Sequence, residues 1–100
     1  MGSEENKTVE YLGDVSGDYS GDFEVMVDFE KGRVEGTFRG GGFGIEVTGS
    51  VSDKEIKAEG SVMGQTVKIS GKVSEDRSSI EGKWEVPRFG SGEWKGTKSK

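Results

Sequence analysis

From Val9 to Phe29 every odd-numbered position is apolar, aromatic or glycine, so a period of two holds over 21 residues. That alternation is the signature of extended chain with one face turned to a core. Fully extended, the stretch would span about 70 Å at roughly 3.3 Å per residue, more than a small domain is tall. It must therefore bend or break, and the Gly-Asp steps are where it can. The pattern predicts one strand over residues 8–15 and a second over 18–30.

Further along, glycine returns within short apolar segments, VEGTF, VTGSV, AEGSV, ISGKV, IEGKW and GSGEW, at Gly36, Gly49, Gly60, Gly71, Gly82 and Gly92. The spacings of 13, 11, 11, 11 and 10 residues each accommodate one strand and a short turn. Lys31-Gly32 reads as a tight turn into a strand at 33–40, and the Gly40-Gly41-Gly42 tract leads to one at 43–52. Asp53-Lys54 turns into 55–63. Gly64-Gln65, with glycine first as a type II′ turn requires, connects to 66–74. The polar Glu75–Ser78 loop and the Pro87-Arg88 step then introduce strands at 79–86 and 89–97. No window carries apolar residues at helical spacing.

The apolar residues of each strand share one face with the recurrent glycines, as in Val34/Gly36/Phe38 or Ile80/Gly82/Trp84. An open sheet with one greasy face would leave two unpaired edges, so the sheet is expected to close on itself. Inward glycines permit the tight coiling this needs, and a nearby aromatic such as Phe38, Trp84 or Trp94 can cover a glycine. The fold predicted is all-β, an antiparallel up-and-down meander of about eight strands closed into a small barrel. It occupies residues 8–98 as a single domain behind a disordered or vector-derived tail at 1–7.

Composition narrows the chemistry. With 29% hydrophobic residues and 18 glycines, the 100-residue chain suits neither a helical bundle nor, given its patterning, disorder. A net charge of −5 with both signs interspersed argues for a soluble monomer and against nucleic acid. Lys95, Lys98 and Lys100 read as a solvated tail. No run is apolar enough to predict a membrane-spanning helix.

The absence of histidine and cysteine removes triads, thiol nucleophiles and nearly every zinc site. No cofactor or metal is expected, and the compartment stays open. Asp14, Asp18 and Asp22 lack the nine-residue period or the loop-closing glutamate of calcium motifs. GGFG at 41–44 lacks the Lys-Ser/Thr of a phosphate loop. Asn6-Lys7-Thr8 is a formal glycosylation sequon. Nearly all carboxylates fall on the outward parity, where two of them would not acquire the differing environments that acid-base catalysis needs. A non-enzymatic protein is therefore expected, with Glu24, Asp28, Glu35, Glu46, Glu59 and Glu81 facing cations such as Arg33, Arg39, Lys57, Lys68 and Lys83 across strands.

About 20 large side chains are available for roughly 24–32 inward positions, which predicts a largely filled interior. The alternative is a small apolar pocket at one mouth walled by Phe38, Phe43, Trp84 or Trp94. These four are the candidate ligand-binding residues. The corresponding functions are recognition of a partner protein by loops near Gly40–Phe43 and Pro87–Gly90, or carriage of a small hydrophobic ligand.

VEGTF, ISGKV and IEGKW resemble the glycine-bent strand signature of avidin-like and lipocalin-like barrels. The steps Asp28-Phe29, Lys31-Gly32 and Val34-Glu35-Gly36, with Gly82-Lys83-Trp84 and Gly92-Glu93-Trp94, resemble the barrel domain of surface lipoproteins of the transferrin-binding-protein type. That resemblance implies protein recognition by loops on a packed barrel in a cell-surface or extracellular setting, although these 100 residues hold no cysteine for lipidation and no companion domain is expected from them. The chain is also similar to de novo designed barrels in its short loops, single proline and lack of cysteine and histidine. It departs from them in having no Asn-Gly or Asp-Gly hairpin.

Overall fold

A computed structural model describes residues 8–99, leaving out the Phe43 side chain, so the expected tail at 1–7, most of the sequon and Lys100 lie outside the described residues. Eight strands run in chain order: β1 (Thr8–Gly17), β2 (Gly21–Asp28), β3 (Arg33–Gly40), β4 (Phe43–Ser52), β5 (Glu55–Val62), β6 (Gln65–Val73), β7 (Ser79–Val86) and β8 (Gly90–Lys98). Each pairs antiparallel with the next, and β1 pairs with β8 to close the barrel. The all-β up-and-down architecture expected from the alternation is therefore the one observed.

The long alternating stretch breaks between Gly17 and Gly21, so β2 starts three residues later than expected and Phe29 falls in the turn after it. Gly17 takes a positive φ of 115°, and a side chain there would strike the Gly92 backbone of β8. Asp18, at the break, is tied to β8 instead of extending β2: its N–H donates to the Ser91 carbonyl, and its carboxylate accepts the Ser91 N–H, both at 3.0 Å.

Three hairpins close on two residues that both have positive φ, as a type I′ turn requires: Gly41-Gly42, Asp53-Lys54 and Met63-Gly64. The third corrects the expected type II′ turn at Gly64-Gln65. Val62 pairs with Gln65, so Met63 and Gly64 form the turn. The β7–β8 connection places Pro87 and Arg88 at the centre of a turn in which the Phe89 N–H reaches the Val86 carbonyl at 2.9 Å, with Arg88 left-handed at φ 73°.

Eighteen buried hydrophobic residues form one continuous core, and among the described residues no polar or charged residue is buried. At its centre Phe23 and Phe38 stack with centroids 5.0 Å apart, and both meet the Trp94 ring edge-on at 5.4 and 5.8 Å. The glycines make this packing possible. A β-carbon on Gly82 would lie 2.7 Å from Cζ2 of Trp94 and drive into the Ser70 carbonyl, and one on Gly71 would lie 2.5 Å from the same indole. Gly71 and Gly82 are themselves register partners, as are Gly13 and Gly96, Gly17 and Gly92, and Gly21 and Gly40. Neighbouring backbones thus approach through gaps that any side chain would fill.

Outside, the register sets opposite charges face to face across β5 to β8 and at Asp28 and Arg33. Contrary to expectation, Glu24 and Glu46 both face Thr37, and Glu35 lies between Met26 and Thr48. Glu55, Lys72, Glu81 and Lys95 follow one another across β5 to β8, Glu59 faces Lys68, Lys68 faces Glu85, and Lys83 faces Glu93. Arg39 pairs with Asp22 at 3.0 Å. Such exposed pairs contribute little individually, about 0.2–1 kcal/mol, but the alternation disfavours a shifted register.

One end of the barrel is sealed. Tyr11 is fully buried, and its hydroxyl donates to the Arg77 carbonyl at 2.7 Å, while the Arg77 guanidinium lies 4.1 Å over the Phe29 ring. Burial raises the Tyr11 pKa, with the nearby Arg77 charge working against it. The same loop is organised by Asp76, whose Oδ1 accepts from the Ser78 hydroxyl at 2.7 Å, the Ser78 N–H at 3.0 Å and the Ser74 hydroxyl at 2.8 Å.

Two outcomes follow. Gly82→Ala should lose about 1–3 kcal/mol in urea unfolding by overpacking, whereas Gly44→Ala, at a site with open space and no positive φ, should be neutral or gain up to about 0.5 kcal/mol. The hydrogen bonds from Ser78 and Ser74 hold the Asp76 pKa at about 2, below the ordinary 3.8, so the folded state favours its ionised form. The resulting stabilisation is complete above about pH 5 and is lost as pH falls through 3.8 toward 2. Asp76→Ala should therefore be less stable than the parent near neutrality, and the difference in unfolding midpoint should shrink between about pH 4 and pH 2.

Candidate functional site

In a meander the β1–β2, β3–β4, β5–β6 and β7–β8 connections share one end, opposite the sealed one. Tyr19, Gly41, Met63 and Phe89 lie on these connections, and the two loops expected to carry recognition are among them. Between them opens an apolar cavity of about 60 Å³. Its floor is made by Phe38, Val67, Ile69 and Trp84, and its rim by Tyr19, Ile45, Val62, Met63 and Phe89. Arg39 also borders the cavity, and its Nε donates to the Asp22 carboxylate at 3.0 Å.

Each wall element has a local cause. Tyr19 folds over the barrel mouth because the chain turns inward after Gly17; its ring centroid lies 6.1 Å from that of Trp84, and a β-carbon on Gly41 would be 2.6 Å from its Cδ1. The glycine at position 41 thus makes room for the tyrosine. Trp84 extends from β7 across Gly92 of β8 and donates its indole N–H to the Ser16 carbonyl on β1 at 2.9 Å. A β-carbon on Gly92 would sit 2.6 Å from that nitrogen. Trp84 is therefore at once a pocket wall and a tie between β7 and β1 over the intervening strand. Trp94 makes the parallel bond from β8 to the Lys83 carbonyl at 3.0 Å.

Of the four candidate residues, Phe38 and Trp84 line the cavity. Trp94 lies beneath it, in the aromatic cluster with Phe23 and Phe38. Phe43 opens β4 opposite Gly40, and its side chain lies outside the described residues. Tyr19, Met63 and Phe89 were absent from the expected set. Their common end follows from strand order alone, since every second turn of a meander returns to the same rim.

Two further concavities lie on the outer face, one reaching from β4 to β8 and the other from β5 through β8 to β1, both floored by residues such as Lys57, Ser70, Lys83 and Glu93. They are open troughs over the charge alternation, where glycines draw the strands inward. The aspartates at 14, 18 and 22 serve separate purposes: Asp18 binds Ser91, Asp22 binds Arg39, and Asp14 stands opposite Asp22 on the exterior. Among the described residues no group of three or more His, Cys, Asp or Glu side chains could hold a metal ion.

Trp84→Phe should preserve the cavity wall but remove the donor to the Ser16 carbonyl. It is expected to lower unfolding free energy by about 1–3 kcal/mol, and to speed amide exchange at the β1–β8 seam more than at the β3–β4 hairpin.

The eight-stranded closed meander is the architecture of avidin-like and lipocalin-like barrels, but no family model matches this chain and no curated protein matches its sequence.

Proposed function

We propose that the protein is a non-enzymatic recognition module that engages a polypeptide partner through the open end of the barrel. The observation that carries this reading is the contrast between the two ends. One is sealed by Tyr11, Arg77 and Phe29, while the other surrounds a shallow apolar opening with Tyr19, Met63 and Phe89. Loops held by a rigid scaffold are where recognition residues concentrate.

The size of the opening weighs against the carrier alternative. Small-molecule sites enclose about 300–1,000 Å³, and this cavity holds about 60 Å³. The space that a lipocalin-like ligand would occupy is filled here by Phe23, Phe38 and Trp94. Weighing against catalysis, the carboxylates decorate the outer surface, and no described charged group is buried where desolvation could tune it. The charged exterior is likewise the wrong surface for a lipid-facing barrel, which requires an apolar band outward.

A titration with 1-anilinonaphthalene-8-sulfonate under conditions where unfolding is cooperative separates the two binding readings. Recognition by the rim predicts no saturable one-to-one binding and no change in Trp84 emission. Stoichiometric binding abolished by Phe38→Ala or Trp84→Ala, in variants that still unfold cooperatively, would establish a carrier instead.

A further inference from the structure

We infer that the cavity at the open end receives one short aliphatic side chain of a polypeptide partner and that Met63 is the anchor beside it; the inference rests on the recognition reading above. Met63 is the most exposed large hydrophobic residue described, at 70%, and it stands at φ 50° in the β5–β6 turn. Left-handed backbone is unfavourable for an unbranched apolar residue and is ordinarily given to Gly, Asn or Asp. Gly41 and Asp53 occupy the equivalent first position of the other two type I′ turns. A methionine placed there against both solvent and backbone preference, at the rim of the apolar opening, is the kind of local strain that accompanies a binding surface. Its flexible, polarizable thioether suits it to pack against partners of varied shape.

The occupant follows from dimensions. A volume of about 60 Å³, far below the roughly 300–1,000 Å³ of a small-molecule site, is on the scale of one small group such as the branched end of Val, Leu or Ile. A free molecule of that size would bury too little surface to offset the freedom lost on association. A side chain carried on a polypeptide differs, because its flanking residues can contact Tyr19, Phe89 and the exposed Arg88 turn at the same time. The pocket then supplies register and the rim supplies area.

The test is selection of a displayed library of random 12-residue peptides on the folded protein, followed by affinity measurements on the enriched peptides. Two variants interrogate the pocket: Val62→Phe, which fills it, and Met63→Asn, which gives the left-handed position a residue that tolerates it. The expected result is a shared Val, Leu or Ile in the enriched peptides, binding weakened at least tenfold by Val62→Phe and several-fold by Met63→Asn, and an unfolding midpoint for Met63→Asn equal to or above the parent's. The Met63→Asn arm stands even if Val62→Phe fails to fold. Peptides indifferent to both folded variants but lost on Tyr19→Ala or Arg88→Ala would overturn the pocket assignment and leave loop recognition standing. No enriched peptide sensitive to any of these changes would overturn both. Co-sedimentation with phosphatidylcholine vesicles that Met63→Asn abolishes would replace the polypeptide with a lipid surface.

Discussion

The structure depends on the absence of a β-carbon at a few inward positions. Eight short strands enclose a cylinder whose interior has room for one central cluster of aromatic rings. Those rings fit only because Gly71, Gly82 and Gly92 leave space beneath the indoles of Trp94 and Trp84. The same gaps bring neighbouring backbones close enough for each indole N–H to reach a strand carbonyl, Ser16 for Trp84 and Lys83 for Trp94. Packing and hydrogen bonding are thus satisfied together. Without the glycines the strands could not approach, and without the tryptophans the resulting space would be a void lacking dispersion contacts.

From that constraint follows the difference between the ends. The central rings fill the middle of the barrel and leave an apolar cavity of about 60 Å³ at one mouth. What remains is the treatment of the two rims. At one, the longer β6–β7 loop folds inward, with Arg77 capping Phe29 and its carbonyl receiving the Tyr11 hydroxyl. At the other, the β3–β4 and β5–β6 turns are two residues each, too short to cover the mouth, and Tyr19 covers only part of it. The open rim is a consequence of short turns over a full core, and it leaves Met63 projecting into solvent.

Strand parity was legible throughout, because the period of two marks inward and outward residues whatever the pairing. Position along the neighbouring strand was less so. Moving the β5–β6 turn from Met63-Gly64 to Gly64-Gln65 shifts the pairing of the two strands by two residues, which keeps every side chain on its own face. Hydrophobic alternation detects a one-residue slip, which exchanges faces, but is blind to this one. The observed register sets Glu55 opposite Lys72 and Glu59 opposite Lys68, whereas the two-residue slip would set Lys57 opposite Lys72, so the charges on the outer face distinguish what the hydrophobic pattern does not. The pocket was half legible for a related reason. Phe38 and Trp84 could be found as inward aromatics, but Trp94 has the same local pattern and lies deeper. The chain's turn inward at Tyr19 depends on Asp18 binding Ser91, more than 70 residues away in sequence.

The most direct test of the account is the proton chemical shifts of the glycines under the indoles, assigned by NMR in solution. A glycine whose α-protons lie against an aromatic face experiences its ring current. The account predicts displaced Hα resonances for Gly71, Gly82 and Gly92, with nuclear Overhauser contacts from the first two to Trp94 and from Gly92 to the Trp84 indole N–H. Ordinary glycine shifts at these positions, with no contact to either indole, would contradict the claim that the barrel closes through glycine gaps filled by tryptophan.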